Sequence, residues 1–154
     1  MTTQRLEQYL RSHDVAFDTL PHDHAITALD VARRAHLAGK DVAKTVMVKV
    51  DGRLAMAVMP ANEWLSLERM RQACGAKSVA LANESEFIDR FPECEVGAMP
   101  PFGNLYGMDV YAADTLSHEH DIAFNAGSHD EVVRMGWNDY ERLVHPRIMS
   151  MTRH

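Results

Sequence analysis

Residues 42–60 read VAKTVMVKVDGRLAMAVMP. Two apolar runs with strand character flank Asp51-Gly52, a dipeptide that favours the tight turn of a β-hairpin. The spacing predicts one long strand from Val42 to Val50 and its return from Arg53 to Pro60. Strand side chains alternate between faces. Val42, Lys44, Val46, Val48 and Val50 therefore share one face, and Ala43, Thr45, Met47 and Lys49 the other. Lys44 lies on the more apolar side, where an ammonium is costly to bury. Two readings stay open at this point. Either Lys44 sits at the strand end and its head reaches water, or it is a cation lining a pocket at the sheet edge. With an ordinary lysine pKa of about 10.4 it is a fixed positive charge, and it acts as a base only where burial lowers that value.

Outward from the hairpin, the chain reads as mixed helix and strand. Leu6, Tyr9 and Leu10 recur at helical spacing, and AFDTL alternates as a short strand. Thr27 followed by Asp30 resembles a capped helix start, with Val31, Ala35 and Ala38 on one face and Gly39 as a stop. Beyond the hairpin, helical patterns cover Leu67–Cys74 and Glu84–Phe91, with SVALA between them as a strand. MDVYAAD and DIAFNAG read as two further strands, and EVVRM as a strand or a short helix. Asn138 is positioned to cap a last helix, DYERLV, closed by Pro146. No repeat or linker interrupts this order. The expectation is one α+β domain over residues 1–154, around a mixed or mostly antiparallel sheet flanked by helices.

Composition narrows the function classes. The chain has 154 residues, 46% hydrophobic and 25% charged, and a net charge of -6. That balance gives no global basic field to attract nucleic acid. Arg33, Arg34 and Lys40 are close in sequence and form either a local basic patch or a solvated helix face. The two cysteines make no CxxC motif and no disulfide framework. The polar N-terminus is not a signal peptide, and no apolar run reaches the ~20 residues of a membrane span. The expected location is the cytoplasm.

Two loops stand out. Residues 97–104 read GAMPPFGN. Proline fixes φ and removes a donor, while glycine permits close backbone approach. Residues 124–131, FNAGSHDE, place Asn125, Gly127 and His129 just past an apolar strand, where binding loops are common. Either stretch alone is equally compatible with a plain turn. Nine histidines include His22-x-His24 and His118-x-His120, but no zinc spacing is present. There is no GxSxG elbow, Walker A loop or GxGxxG stretch.

Taken in order, DVAKTVMVK, EVGAMPPFGN and IAFNAGSHDEVVRM resemble the YbaK/prolyl-tRNA-synthetase-associated family of aminoacyl-tRNA deacylases. LPHDHAITALDVA is similar to that family's N-terminal portion, so the resemblance runs from about Leu6 to Pro146. It implies a compact α+β domain with a barrel-like, mostly antiparallel sheet. It also implies a free-standing trans-editing hydrolase that cleaves the ester of a mischarged tRNA, with a small amino acid on proline tRNA or a related tRNA. On that resemblance Lys44, Gly97 and Gly127 carry catalysis. Thr45, Met47, Pro100, Pro101, Phe102, Gly103, Asn125, His129, His22 and Thr27 contact substrate, and Met56 helps to shape the pocket. No metal or other cofactor is implied. The implied partner is the 3′ end of aminoacyl-tRNA, with prolyl-tRNA synthetase or another translation factor in addition, and neither membrane nor DNA. The alanine-clearing branch carries Asn after its lysine where this chain has Thr45, which counts against alanine as the substrate. Two competing readings are a non-catalytic module that binds aminoacyl-tRNA or a synthetase, and a metal-dependent hydrolase of another small ester.

Overall fold

The computed structural model describes residues 3–153. The first half runs α1 (Gln4–Ser12), β1 (Phe17–Pro21), α2 (Ala28–Arg34), β2 (Ala43–Val50), β3 (Arg53–Pro60) and β4 (Trp64–Leu65). Next come α3 (Leu67–Cys74), β5 (Val79–Leu81) and α4 (Glu84–Phe87). The last part holds β6 (Asp109–Ala113), β7 (Asp121–Asn125), β8 (Glu131–Gly136), α5 (Trp137–Val144), β9 (Arg147–Met149) and β10 (Thr152–Arg153).

The hairpin organises the main sheet. β2 and β3 pair antiparallel from Ala43↔Pro60 to Val50↔Arg53. Asp51 and Gly52 both adopt positive φ, 49° and 83°, as the favoured two-residue hairpin turn requires. The sheet order is β5-β2-β3-β6-β9. β5 joins antiparallel, whereas β6 and β9 join parallel, so the sheet is mixed. A second, antiparallel sheet has the order β1-β8-β7, and β4 pairs with β10 alone. An isolated bridge, Val42↔Ala123, links the residue just before β2 to β7. The strands thus form an α+β arrangement of adjoining sheets and not a closed barrel.

The two faces of β2 are both covered. Ala43 and Met47 enter a core with Met56, Val58, Phe102, Phe124 and Tyr140. Val48 enters a second cluster with Ala57, Met59, Met70 and Met151. A third, smaller cluster packs Val31 and Ala32 of α2 on Val42 and Ala123. Helix starts follow their caps: the side chains of Thr3, Thr27 and Ser66 accept from Leu6, Asp30 and Arg69 N–H groups.

Several expected boundaries shift. α2 ends at Arg34, because His36 turns into positive φ at 59°. Gly39 instead opens a 3-10 turn, and its carbonyl accepts from Ala61 N at 3.1 Å. α4 stops at Phe87 and a 3-10 turn continues over Ile88–Arg90. EVVRM is strand β8. Gly136, not Asn138, is the N-cap of α5, since the helix starts directly off β8 at Trp137. Among the described residues, no helix is long and apolar enough to cross a membrane.

Candidate functional site

The β2–β7 bridge draws four segments together. Val42 precedes β2 and Ala43 to Thr45 open it, and Phe124 and Asn125 end β7. Ile26 and Ala28 stand at the start of α2, and Gly97 and Met99 come from the Gly/Pro loop. These ten residues line a cavity of about 190 Å³. That is smaller than the ~300–1,000 Å³ of pockets for drug-sized ligands. It suits one small polar group with a short side chain, not a nucleoside. Among the lining residues Lys44 alone is charged. Asn125 Oδ1 is buried with no hydrogen-bond partner among the described residues, so it presents an unused acceptor.

The Gly/Pro loop is braced from behind. Gly127 donates its N–H to Ala98 O at 2.7 Å, and its carbonyl accepts from Glu95 N at 2.8 Å. His129 Nε2 donates to Val96 O at 2.7 Å. That bond fixes the tautomer and leaves Nδ1 as a buried acceptor without a partner among the described residues. Tyr140 donates its hydroxyl to Pro101 O at 2.6 Å. Pro100 and Pro101 are buried, and neither brings an N–H that would need a partner there. Phe102 is fully buried, with ring centroids 5.5 Å from Phe124 and 5.3 Å from Tyr140. Burying such a side chain stabilises the fold by roughly 1.5–3 kcal/mol. The loop is thus anchored at Pro101 and Phe102 and faces the cavity at Gly97 and Met99.

Lys44 is half-buried. Its Nζ lies 4.9 Å from the ring centroid of Trp64. Burial lowers its proton affinity below the ordinary lysine value, and the charge of Glu63 opposes that effect. Glu63 is itself only 4% exposed. It accepts hydrogen bonds from the hydroxyls of Thr115, at 2.8 Å, and Thr152. The lysine therefore combines an aromatic face, a nearby carboxylate and an opening to the cavity.

Of the residues expected to contact substrate or carry chemistry, Lys44, Thr45, Gly97 and Asn125 stand on the cavity wall. The others are not among its lining residues. Met47 pairs with Met56 across the hairpin, and both belong to the main core. Pro100, Pro101, Phe102 and Gly103 form the buried root of the loop. Gly127 braces that loop through its two hydrogen bonds. His129 is 4% exposed and lies behind Gly97, where a Cβ would sit 3.6 Å from its ring. His22 contacts Asp23 O through Nδ1 at 2.7 Å, and Thr27 spends its hydroxyl on the α2 cap. Sequence reasoning missed Ile26, Ala28, Val42, Ala43, Met99 and Phe124. All of them except Val42 directly flank an expected residue, and none carries a local signal of its own.

His24 Nδ1 lies 2.7 Å from Asp130 Oδ1, and this contact holds the Asp130 carboxyl below its usual range. Among the described residues, no three His, Cys, Asp or Glu side chains gather as a metal-binding set. Burial pushes the Cys94 thiol up to about 11, the wrong direction for a nucleophile. Arg33 and Arg34 both pair with Asp30, and Lys40 lies 3.7 Å from Glu119. The basic cluster near α2 is thus largely neutralised by neighbouring acids.

The chain is similar in sequence and in fold to known proteins. A family profile described as the aminoacyl-tRNA editing domain matches residues 22–143. The chain is 28% identical to the multifunctional Ser/Thr-tRNA deacylase ProXp-y of Escherichia coli (strain K12), over 99% of this chain and 94% of that protein. Among solved structures, a protein assigned as a trans-editing enzyme for prolyl tRNA synthetase superposes with a TM-score of 0.82 at 14% identity, covering 98% of this chain and 96% of that one. The hypothetical protein APE2540 gives 0.86 at 15% identity, covering 97% and 100%. At such identities the structural likenesses show a shared fold.

Proposed function

The chain belongs to the aminoacyl-tRNA editing domain family, and from that premise we propose that it is a free-standing deacylase for tRNA charged with a small amino acid. The reaction is hydrolysis of the ester between the amino-acid carboxyl and the terminal ribose. Water adds to the carbonyl, the ribose oxygen leaves and takes up a proton, and free amino acid and tRNA result. An ester is already activated, so positioning and charge stabilisation can supply most of the rate. Lys44 holds the substrate at the ester and offsets the negative charge that develops on the carbonyl oxygen. Backbone groups of the Gly97 segment orient the carbonyl and the water. Gly127 and His129 keep that segment in place.

The observation that carries this reading is a single lysine and a braced glycine loop sharing one cavity of about 190 Å³. The volume admits a short side chain and excludes a bulky one. The unused acceptor on Asn125 fits the hydroxyl of serine or threonine, which agrees with the named activity of the Escherichia coli relative. Thr45 beside it offers a second hydroxyl to such a substrate. The tRNA is proline tRNA or a related one, with prolyl-tRNA synthetase as a further partner, and the reaction takes place in the cytoplasm. A panel of tRNAs charged with serine, threonine, alanine, cysteine, leucine and phenylalanine tests this. The expected result is hydrolysis of the small hydroxyl-bearing substrates at least tens of times faster than of leucine or phenylalanine esters. Equal rates across all sizes would remove the cavity as the selecting element.

The charge pattern gives a second prediction. With α2 neutralised and a net charge of -6, contact should be confined to the single-stranded 3′ end, on the order of two phosphates. Two contacts imply roughly a sevenfold fall in affinity across a fourfold rise in salt, against ~10³–10⁵ for six to ten contacts. Measuring kcat/KM from 50 to 200 mM salt distinguishes the two. A steep dependence would mean that a larger tRNA surface is read.

A further inference from the structure

Trp64 is 61% exposed, whereas the other tryptophan, Trp137, is 4% exposed. It lies on the two-residue strand β4, directly opposite Arg153 of β10, so the two side chains project to the same face. Arg153 is exposed. On its cavity side Trp64 meets Lys44, whose Nζ is 4.9 Å from the ring centroid. An indole is thus displayed between two cations, one lysine away from the cavity that takes the ester. An isolated exposed apolar residue needs no explanation; an aromatic ring flanked by positive charge at the mouth of a site is the arrangement that binds single-stranded nucleic acid.

The cavity is too small for a nucleoside, so the sugar and base bearing the ester must lie outside it. We propose that Trp64 is the stacking platform for the terminal nucleobase of the RNA 3′ end, with Arg153 beside it facing the adjoining phosphate. The proposal rests on the deacylase reading and deepens it. It makes Trp64 a substrate-positioning residue: stacking of the base sets the reach of the ribose, and hence of the ester, towards Lys44.

The test reads binding, not turnover. The trinucleotide 5′-CCA-3′ is titrated into the protein while tryptophan fluorescence is followed. A labelled copy, and a copy lacking the 3′ base, are followed by anisotropy. The expected result is quenching in the wild type and none in Trp64→Phe, where only buried Trp137 remains to report. Trp64→Ala should weaken CCA binding roughly tenfold, Trp64→Phe should weaken it much less, and neither should change binding of the copy lacking the base. Absence of quenching at saturating trinucleotide, or equal weakening on both copies, would overturn the platform. If the protein hydrolyses no charged tRNA yet shows the Trp64 pattern, the deacylase reading falls and the platform stands. If it hydrolyses charged tRNA without that pattern, the platform falls alone.

Discussion

Lys44→Ala is expected to lower kcat/KM for aminoacyl-tRNA by about 100-fold or more, the usual range for loss of a preorganised charge-stabilising group. The effect should be large because, among the described residues, Lys44 is the only charged side chain lining the cavity. Stability should change little. Lys44 is half-buried at a cost that has already shifted its protonation, so removing it relieves desolvation as well as losing its contact with Trp64. Circular dichroism and a melting curve alongside the kinetics separate the two effects. The pH profile adds a signed check. The charged form is the working one, and burial makes Lys44 give up its proton more readily than an ordinary lysine. Activity should therefore hold through neutral pH and decline as pH rises through a value below about 10.4. A Lys44→Ala protein with wild-type kcat/KM would remove the lysine from the mechanism.

Gly103→Ala should be the most damaging conservative change in the Gly/Pro loop. A Cβ there would lie 2.5 Å from Met108 O and 2.7 Å from Val110 Cγ2. The carbonyl cannot swing away freely. Met108 donates its own N–H to Gly103 O at 2.9 Å, and β6 begins at the next residue. Overpacking against fixed backbone costs about 3 kcal/mol, equivalent to a fall in Tm of roughly 6–12 °C for a domain of this size. Gly97→Ala is the informative contrast. Gly97 has φ +83°, but its nearest neighbour would be an imidazole carbon at ordinary contact distance, so its cost is only that of the backbone conformation, about 1–2 kcal/mol. Thermal or urea denaturation of both variants tests the ranking. A Gly103→Ala protein as stable as wild type would show that the loop root is not held as described.

What was legible in the sequence followed from local rules. The β2–β3 hairpin announced itself by period-two patterning and by Asp51-Gly52, a turn whose φ values few other residues tolerate. The helix start after Thr27 was marked by its cap. The helix after Thr27 overran because its end is set by His36 in positive φ, which no local pattern specifies. The parallel pairings of β6 and β9 are non-local, and strands as short as β4, β9 and β10 carry too few residues to alternate visibly.

The site divides the same way. Lys44, Thr45 and Asn125, which interrupt an apolar strand pattern or end a strand, line the cavity together with Gly97 of the Gly/Pro loop. Met47 lies in the main core, because both faces of β2 are covered. The prolines and Phe102 promised a wall. They form the buried root of the loop, with Tyr140 bonded to Pro101 and Phe102 packed between aromatic rings. Trp64 carried no signal, since its meaning depends on Lys44 and Arg153 arriving from distant parts of the chain.

The most direct measurement is single-turnover hydrolysis of tRNA charged with small amino acids, wild type beside Lys44→Ala, at matched protein concentration. Ester cleavage far above the spontaneous rate is expected for at least one small aminoacyl-tRNA, with its loss in the variant. Tight binding of every charged tRNA with cleavage at the spontaneous rate throughout would contradict it, and would make the domain a binding module.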